Sequence, residues 1–78
     1  MNTLTINKSG NASEVWFSNL QLFIRLEDGR EIAIPIDWFP RLRDASETQR
    51  NNWRLIGGGE GIHWEELDED ILVAELLQ

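Results

Sequence analysis

His63 is the only histidine of this 78-residue chain, set between Ile62 and Trp64 and followed by Glu65, Glu66 and Asp68. Imidazole is the side chain whose unperturbed pKa suits proton transfer near neutrality. A carboxylate beside it could orient the ring, so general acid–base chemistry is the first possibility these residues raise. Just ahead stands Gly57-Gly58-Gly59-Glu60-Gly61, which holds four of the chain's six glycines. Such a run can offer backbone amides to a phosphate. A phosphate loop, however, needs Gly-Lys-Ser/Thr opening a helix; here Glu60 stands where a cation would help, and no lysine follows. A dinucleotide site needs a strand–helix–strand unit of about 30 residues and a later ribose-binding acid, and too little chain remains after Gly61. Asp68-Glu69-Asp70 lacks the ligand spacing and central glycine of a calcium loop. There is no cysteine and no second histidine to complete a metal site, and nothing positions a serine nucleophile. No catalytic, cofactor-binding or metal-binding residue is assigned, and no cofactor is expected.

Charge narrows the field of partners. The net charge is −7, and the seven acids from Glu60 onward face no lysine or arginine in that stretch. Arg41, Arg43, Arg50 and Arg54 form a basic interval just before it. Non-specific nucleic-acid binding draws its affinity from phosphate neutralisation, so an acidic chain is not expected to bind nucleic acid directly. The same charge suits a protein partner with a basic face. No apolar run approaches the roughly 20 residues of a membrane helix, and the first residues lack a secretory signal. A cytoplasmic protein away from the membrane is the expectation. Without disulfides, four tryptophans and three phenylalanines are expected to supply much of the core.

The elements that must position these residues follow from alternation and turn chemistry. Residues 1–13 read as a loose segment with at most a short strand over Leu4–Ile6, and residues 14–78 as a single α+β domain. Leu20, Leu22, Ile24 and Leu26 alternate on one strand face, and Ile32, Ile34 and Ile36 on another, with Asp28-Gly29 between. A two-residue turn would set Ile24 opposite Ala33 and send the two apolar rows to different faces. A three-residue loop, Glu27-Asp28-Gly29, pairs Leu26 with Arg30, Ile24 with Ile32 and Leu22 with Ile34, so both rows share a face. Pro35 lacks an amide donor, so the second strand is expected to lie at an edge or to leave its ladder near that point. Asp37 is expected to N-cap a short helix through Arg43. Ser46-Glu47-Thr48-Gln49 spells a capping box for a second helix running to about Trp53 or Leu55. The glycines would cap that helix and let the chain pass close under a tryptophan. Gly61 to Trp64 reads as extended, Leu67 to Asp70 as an acidic turn, and Ile71 to Leu77 as a terminal helical turn or two. The expected fold is a small three-stranded antiparallel sheet, with its β-hairpin at Leu20–Ile36, and short helices packed on one face.

Three segments together resemble a known family: Asp37-Trp38-Phe39-Pro40-Arg41-Leu42, the string from Asn52 to Trp64, and Leu67-Asp68-Glu69-Asp70-Ile71. They are similar to small bacterial proteins known as domain of unknown function 2442. Asp28-Gly29-Arg30 and Ile34-Pro35-Ile36 fit as well, so the likeness spans roughly Glu14 to Leu77. The resemblance implies a compact α+β domain, found alone or beside a helix-turn-helix domain. It also implies a neighbouring gene for a second small protein, in a toxin–antitoxin arrangement. The family has no established catalytic residues to carry over. No helix-turn-helix domain accompanies the domain in this sequence, so autorepression is not expected.

Beside a purely structural possibility, self-association through an exposed edge strand near Pro35, two functional readings result. The first is a non-enzymatic protein–protein interaction module, the acidic and antitoxin-like half of a two-gene system. Its binding face would join Trp38, Arg41 and Arg54 to Gly57, Gly58, Gly59, His63 and Trp64. The second is a small-ligand or enzymatic site around His63, Trp64 and the Gly57–Gly61 loop, with Arg41 beside it. That reading requires a pocket of at least about 300 Å³ with His63 inside it.

Overall fold

The computed structural model describes residues 9–77; the strand expected at Leu4–Ile6 lies outside them. Strands β1 (Ala12–Phe17), β2 (Gln21–Leu26) and β3 (Glu31–Pro35) form one antiparallel sheet in that order. Strands β4 (Trp53–Ile56), β5 (Gly61–Trp64) and β6 (Glu69–Leu72) form a second. Short helices α1 (Pro40–Arg43) and α2 (Glu47–Asn51) link the sheets, and α3 (Val73–Leu76) follows β6. The class is α+β, as expected, with a second sheet added to the first.

The β2–β3 hairpin has the expected register, Leu22 opposite Ile34 and Ile24 opposite Ile32. The Leu26 amide donates to the Arg30 carbonyl at 2.8 Å, and Gly29 turns the loop with φ 95°. The Arg30 guanidinium bonds the Asp28 carboxyl across this loop and holds it below its ordinary pKa. β3 is an edge strand and ends at Pro35, which has no amide to offer a further neighbour. β1 begins at Ala12, inside the segment 1–13 expected to be loose. A bulge between Ala12 and Glu14 inserts one residue, so Ala12 and Val15 both turn inward although three positions apart.

Between the sheets the chain departs from expectation in two places. Asp37 does not cap a helix: it lies within a single turn, Ile36–Trp38, and α1 starts only at Pro40 with no side-chain cap. Pro40 keeps the residue before it out of the helical region, so Phe39 sits at φ −129°, ψ 83° and the helix begins on the proline itself. The capping box forms as spelled, with Ser46 Oγ accepting from the Gln49 amide at 3.1 Å and Gln49 Oε1 accepting from the Ser46 amide at 3.0 Å. Its helix nonetheless stops at Asn51, because Trp53 and Leu55 pair as strand residues with Trp64 and Ile62. Arg50 closes the junction by donating to the carbonyls of Leu42 and Arg43 at 2.8 and 2.6 Å.

One core spans both sheets. Val15, Leu22, Ile24, Leu26 and Ile34 meet Ile62, Trp64, Ile71 and Val73, with Leu42 of α1 closing one side. The helices are too short to cover a sheet alone; α1 and α3 each bury one residue and α2 none. The first sheet is therefore covered mainly by the second sheet, not by helices. Trp64 is 0% exposed, meets the Phe17 ring edge-on at 6.3 Å, and donates its indole Nε1–H to the Arg50 carbonyl at 2.9 Å. Removing an indole of this size from water is worth about 4–6 kcal/mol as an upper figure. The other tryptophans contribute less. Trp53 is half-buried, Trp16 stacks on Phe23 at 5.5 Å on the outer sheet face, and Trp38 is 64% exposed. Among the described residues, no helix is long and apolar enough to cross a membrane.

Candidate functional site

Strand alternation decides what the second sheet shows to solvent. Ile62 and Trp64 point inward, so His63 between them points outward. Arg54 on β4 and Asp70 on β6 stand directly beside it in the register. The His63 ring is gripped on both sides: Nδ1 bonds Asp70 Oδ1, and Nε2 lies 3.3 Å from Glu65 Oε1. The same Glu65 oxygen lies 3.5 Å from Arg54 Nη2. Asp70, chiefly through its hydrogen bond and seconded by Glu65, raises the His63 pKa above its ordinary value although partial burial opposes this. An imidazole that favours its cation and has both nitrogens occupied is poorly placed to accept a proton from a substrate. This chain of four side chains binds three strands together across their outer face.

Three hollows among the described residues measure about 350, 260 and 460 Å³, and His63 lines none of these three. The pocket that a His63-centred ligand site requires is thus not among them. Trp64, the second member of that site, is wholly internal. The largest of these three is a groove walled by Trp38, Phe39, Leu72 and Leu76, with the carboxylates of Asp70 and Glu75 at its sides. Trp38 and Leu72 are 64% and 54% exposed, the two most exposed large apolar side chains after Leu20 among the described residues. Asp70 belongs to both features, bonding His63 and lining the groove.

The residues expected to make one binding face are distributed over several. Trp38 borders the groove beside β6. Arg41 donates to the Asp68 carbonyl at 2.6 Å, steadying a turn in which Asp68 adopts φ 50°. Arg54 and His63 share the outer face of the second sheet. Gly57, Gly58 and Gly59 connect β4 to β5 at the opposite end of that hairpin from Trp53 and Trp64, so they cap no helix. Nor do they pass under a tryptophan: Gly59 is pressed against β1, where a Cβ would lie 2.4 Å from the Ala12 carbonyl oxygen. Trp64 and Gly59 are buried and present no surface to a partner. The sequence reading did not select Leu72, Leu76 or Glu75, because the apolar run Ile71-Leu72-Val73 suits a helix as well as a strand. Only the strand's alternation, inward at Ile71 and outward at Leu72, would have marked Leu72 as exposed. Among the described residues, no three His, Cys, Asp or Glu side chains gather to hold a metal ion.

Fold and surface together define a small two-sheet α+β domain with an acidic, apolar-walled groove along one strand edge. The chain belongs to the family described as protein of unknown function (DUF2442), whose model matches residues 12–78. Among solved structures it is similar to a crystal structure of a protein of unknown function from Rhodospirillum rubrum ATCC 11170. The two share 29% identity with a TM-score of 0.74, over 91% of this chain and 87% of that one. No curated protein matches the chain.

Proposed function

We propose that this chain is a non-enzymatic protein–protein interaction module acting in the cytoplasm, and that the partner is engaged through the groove at Trp38. The observation that carries this reading is the exposure of Trp38 and Leu72 in one groove, edged by acids. Tryptophan dominates binding hot spots because a large ring desolvated at an interface repays burial. In a chain whose other large side chains are mostly tucked inward, an indole left in water needs a role outside the fold. The groove's carboxylates repel phosphate, so the partner is protein and not nucleic acid.

The neighbouring-gene arrangement that the family resemblance implies makes the antitoxin-like half of a two-gene system the specific form of this proposal. The acidic chain would neutralise a small basic protein made beside it. Co-expression with the product of the adjacent gene tests this. The two are expected to co-elute in size exclusion, and the chain is expected to relieve any growth defect the neighbour causes. Separate elution without rescue would refute the pairing.

A further inference from the structure

We infer that the groove beside β6 receives an extended segment of a partner protein, added as a further strand to the β6 edge and carrying lysine or arginine next to its apolar anchors. This rests on the interaction-module reading and adds the chemistry and geometry of what is bound.

The groove follows a backbone. Asp70, Ile71 and Leu72 all line it, and since consecutive strand residues point to opposite faces, the feature they share is the strand edge. Among the described residues, β6 has one strand neighbour, β5. Its outer edge therefore offers amides and carbonyls to an incoming strand. The other sheet treats its edge differently: β3 ends in Pro35, which removes a donor. β6 has no proline, and no lysine interrupts its sequence Glu-Asp-Ile-Leu. Opposite the edge, Trp38, Phe39 and Leu76 form an apolar wall against which alternate side chains of an added strand would pack.

Charge selects the occupant. Asp70 and Glu75 line the groove and, among the described residues, no lysine or arginine does. Asp70 uses Oδ1 on His63, and its side chain remains 66% exposed. A second copy of the chain is a poor source of the missing cations: among the described residues the lysine and arginine side chains are six arginines, and all six are already engaged. Arg25, Arg30, Arg43 and Arg54 pair with Glu31, Asp28, Asp44 and Glu65. Arg41 and Arg50 are held by backbone carbonyls. Two copies, each at −7, would also repel. A basic strand from a different protein meets both demands, and its binding must weaken as salt rises.

The test selects binders from a displayed library of random ten-residue peptides on the intact chain. Enriched sequences are expected to alternate apolar residues with lysine or arginine. A synthetic consensus peptide is expected to lose about tenfold or more in affinity to both Trp38→Ala and Glu75→Lys, and to weaken with added salt. Amide NMR shifts on binding are expected to centre on residues 70–76 and the Trp38 indole. Both substitutions fall on surface side chains, and thermal melts confirm that the variants fold. Enrichment of peptides without basic residues, or affinity unchanged in both variants, overturns the inference. So does self-association of the chain that Trp38→Ala abolishes, which makes a second copy the occupant. The same variants in co-expression with the neighbouring gene separate the two proposals. If both still capture the neighbour, the groove assignment fails and the module reading stands. If the unmodified chain captures nothing and the library yields no binder, both fail.

Discussion

Replacing Gly59 with alanine tests how the second sheet is locked to the first. Two costs arise together. Gly59 sits at φ +104°, a conformation that costs an L-residue about 1–2 kcal/mol. The added Cβ would also lie 2.4 Å from the Ala12 carbonyl oxygen and 3.1 Å from its nitrogen. Those are backbone atoms of the β1 bulge and cannot rotate away as a side chain would. Overpacking of this kind typically costs about 1–3 kcal/mol. The total of about 2–5 kcal/mol compares with roughly 4–12 kcal/mol expected for a domain of this length. In urea, with a slope of about 1 kcal/mol per molar for a small protein, the midpoint should fall by about 2–5 M. Gly58→Ala is the control: its φ is also positive, at +70°, but nothing lies within 4 Å of its Cβ position. It should cost about 1 kcal/mol through conformation alone. Equal midpoint shifts for the two variants would refute the claim that this turn is pressed against β1.

Three further outcomes are expected. Trp64→Phe keeps an aromatic ring but leaves the part-buried Arg50 carbonyl without its indole donor, lowering stability by about 1–3 kcal/mol in urea unfolding; Trp64→Ala should cost about 3–5 kcal/mol. Ser46→Ala removes the half of the capping box that the hydroxyl makes and keeps the backbone half to Gln49; it should cost about 1 kcal/mol, with Ser46→Asp retaining most of the stability. Because Asp70 and Glu65 raise the folded-state pKa of His63, its stabilising contribution is complete below the unfolded value of about 6.5. That contribution is lost as pH rises through the higher folded value. Unfolding midpoints should decline over that window and the decline should flatten in His63→Gln; a midpoint that rises there contradicts the pairing. Asp28 and Asp44, lowered by Arg30 and Arg43, act in the opposite direction. Their contribution is present above about 3.9 and lost as pH falls through their folded values.

The parts of this fold that are legible in the sequence are those set by local rules. The β2–β3 register follows from parity, since only a three-residue loop brings Ile24 opposite Ile32 and Leu22 opposite Ile34. The capping box is legible because its partners lie three residues apart. Trp53 to Ile56 was not legible. Its apolar spacing continues a helix as readily as it forms a strand, and pairing with Gly61 to Trp64 across the glycine turn chose the strand. The candidate site suffers the same ambiguity. Whether Trp64 or His63 faces water depends on the pleat of β5, and that pleat is decided by which side the first sheet covers.

Composition and local pattern alone determine that this chain is acidic, lacks thiol chemistry, builds a hairpin at its first sheet and carries the signature of its family. They determine too that glycine is needed near position 59. What glycine is needed for comes from the tertiary structure: the absent side chain makes room for the Ala12 carbonyl of a strand more than forty positions earlier. Contacts over such separations decide burial, so they place Trp64 inside and leave Trp38 in water beside the β6 edge. Local propensity selects which conformations a segment can adopt, but a side chain's neighbours, and hence its function, are set when distant segments compete to bury the same apolar surface.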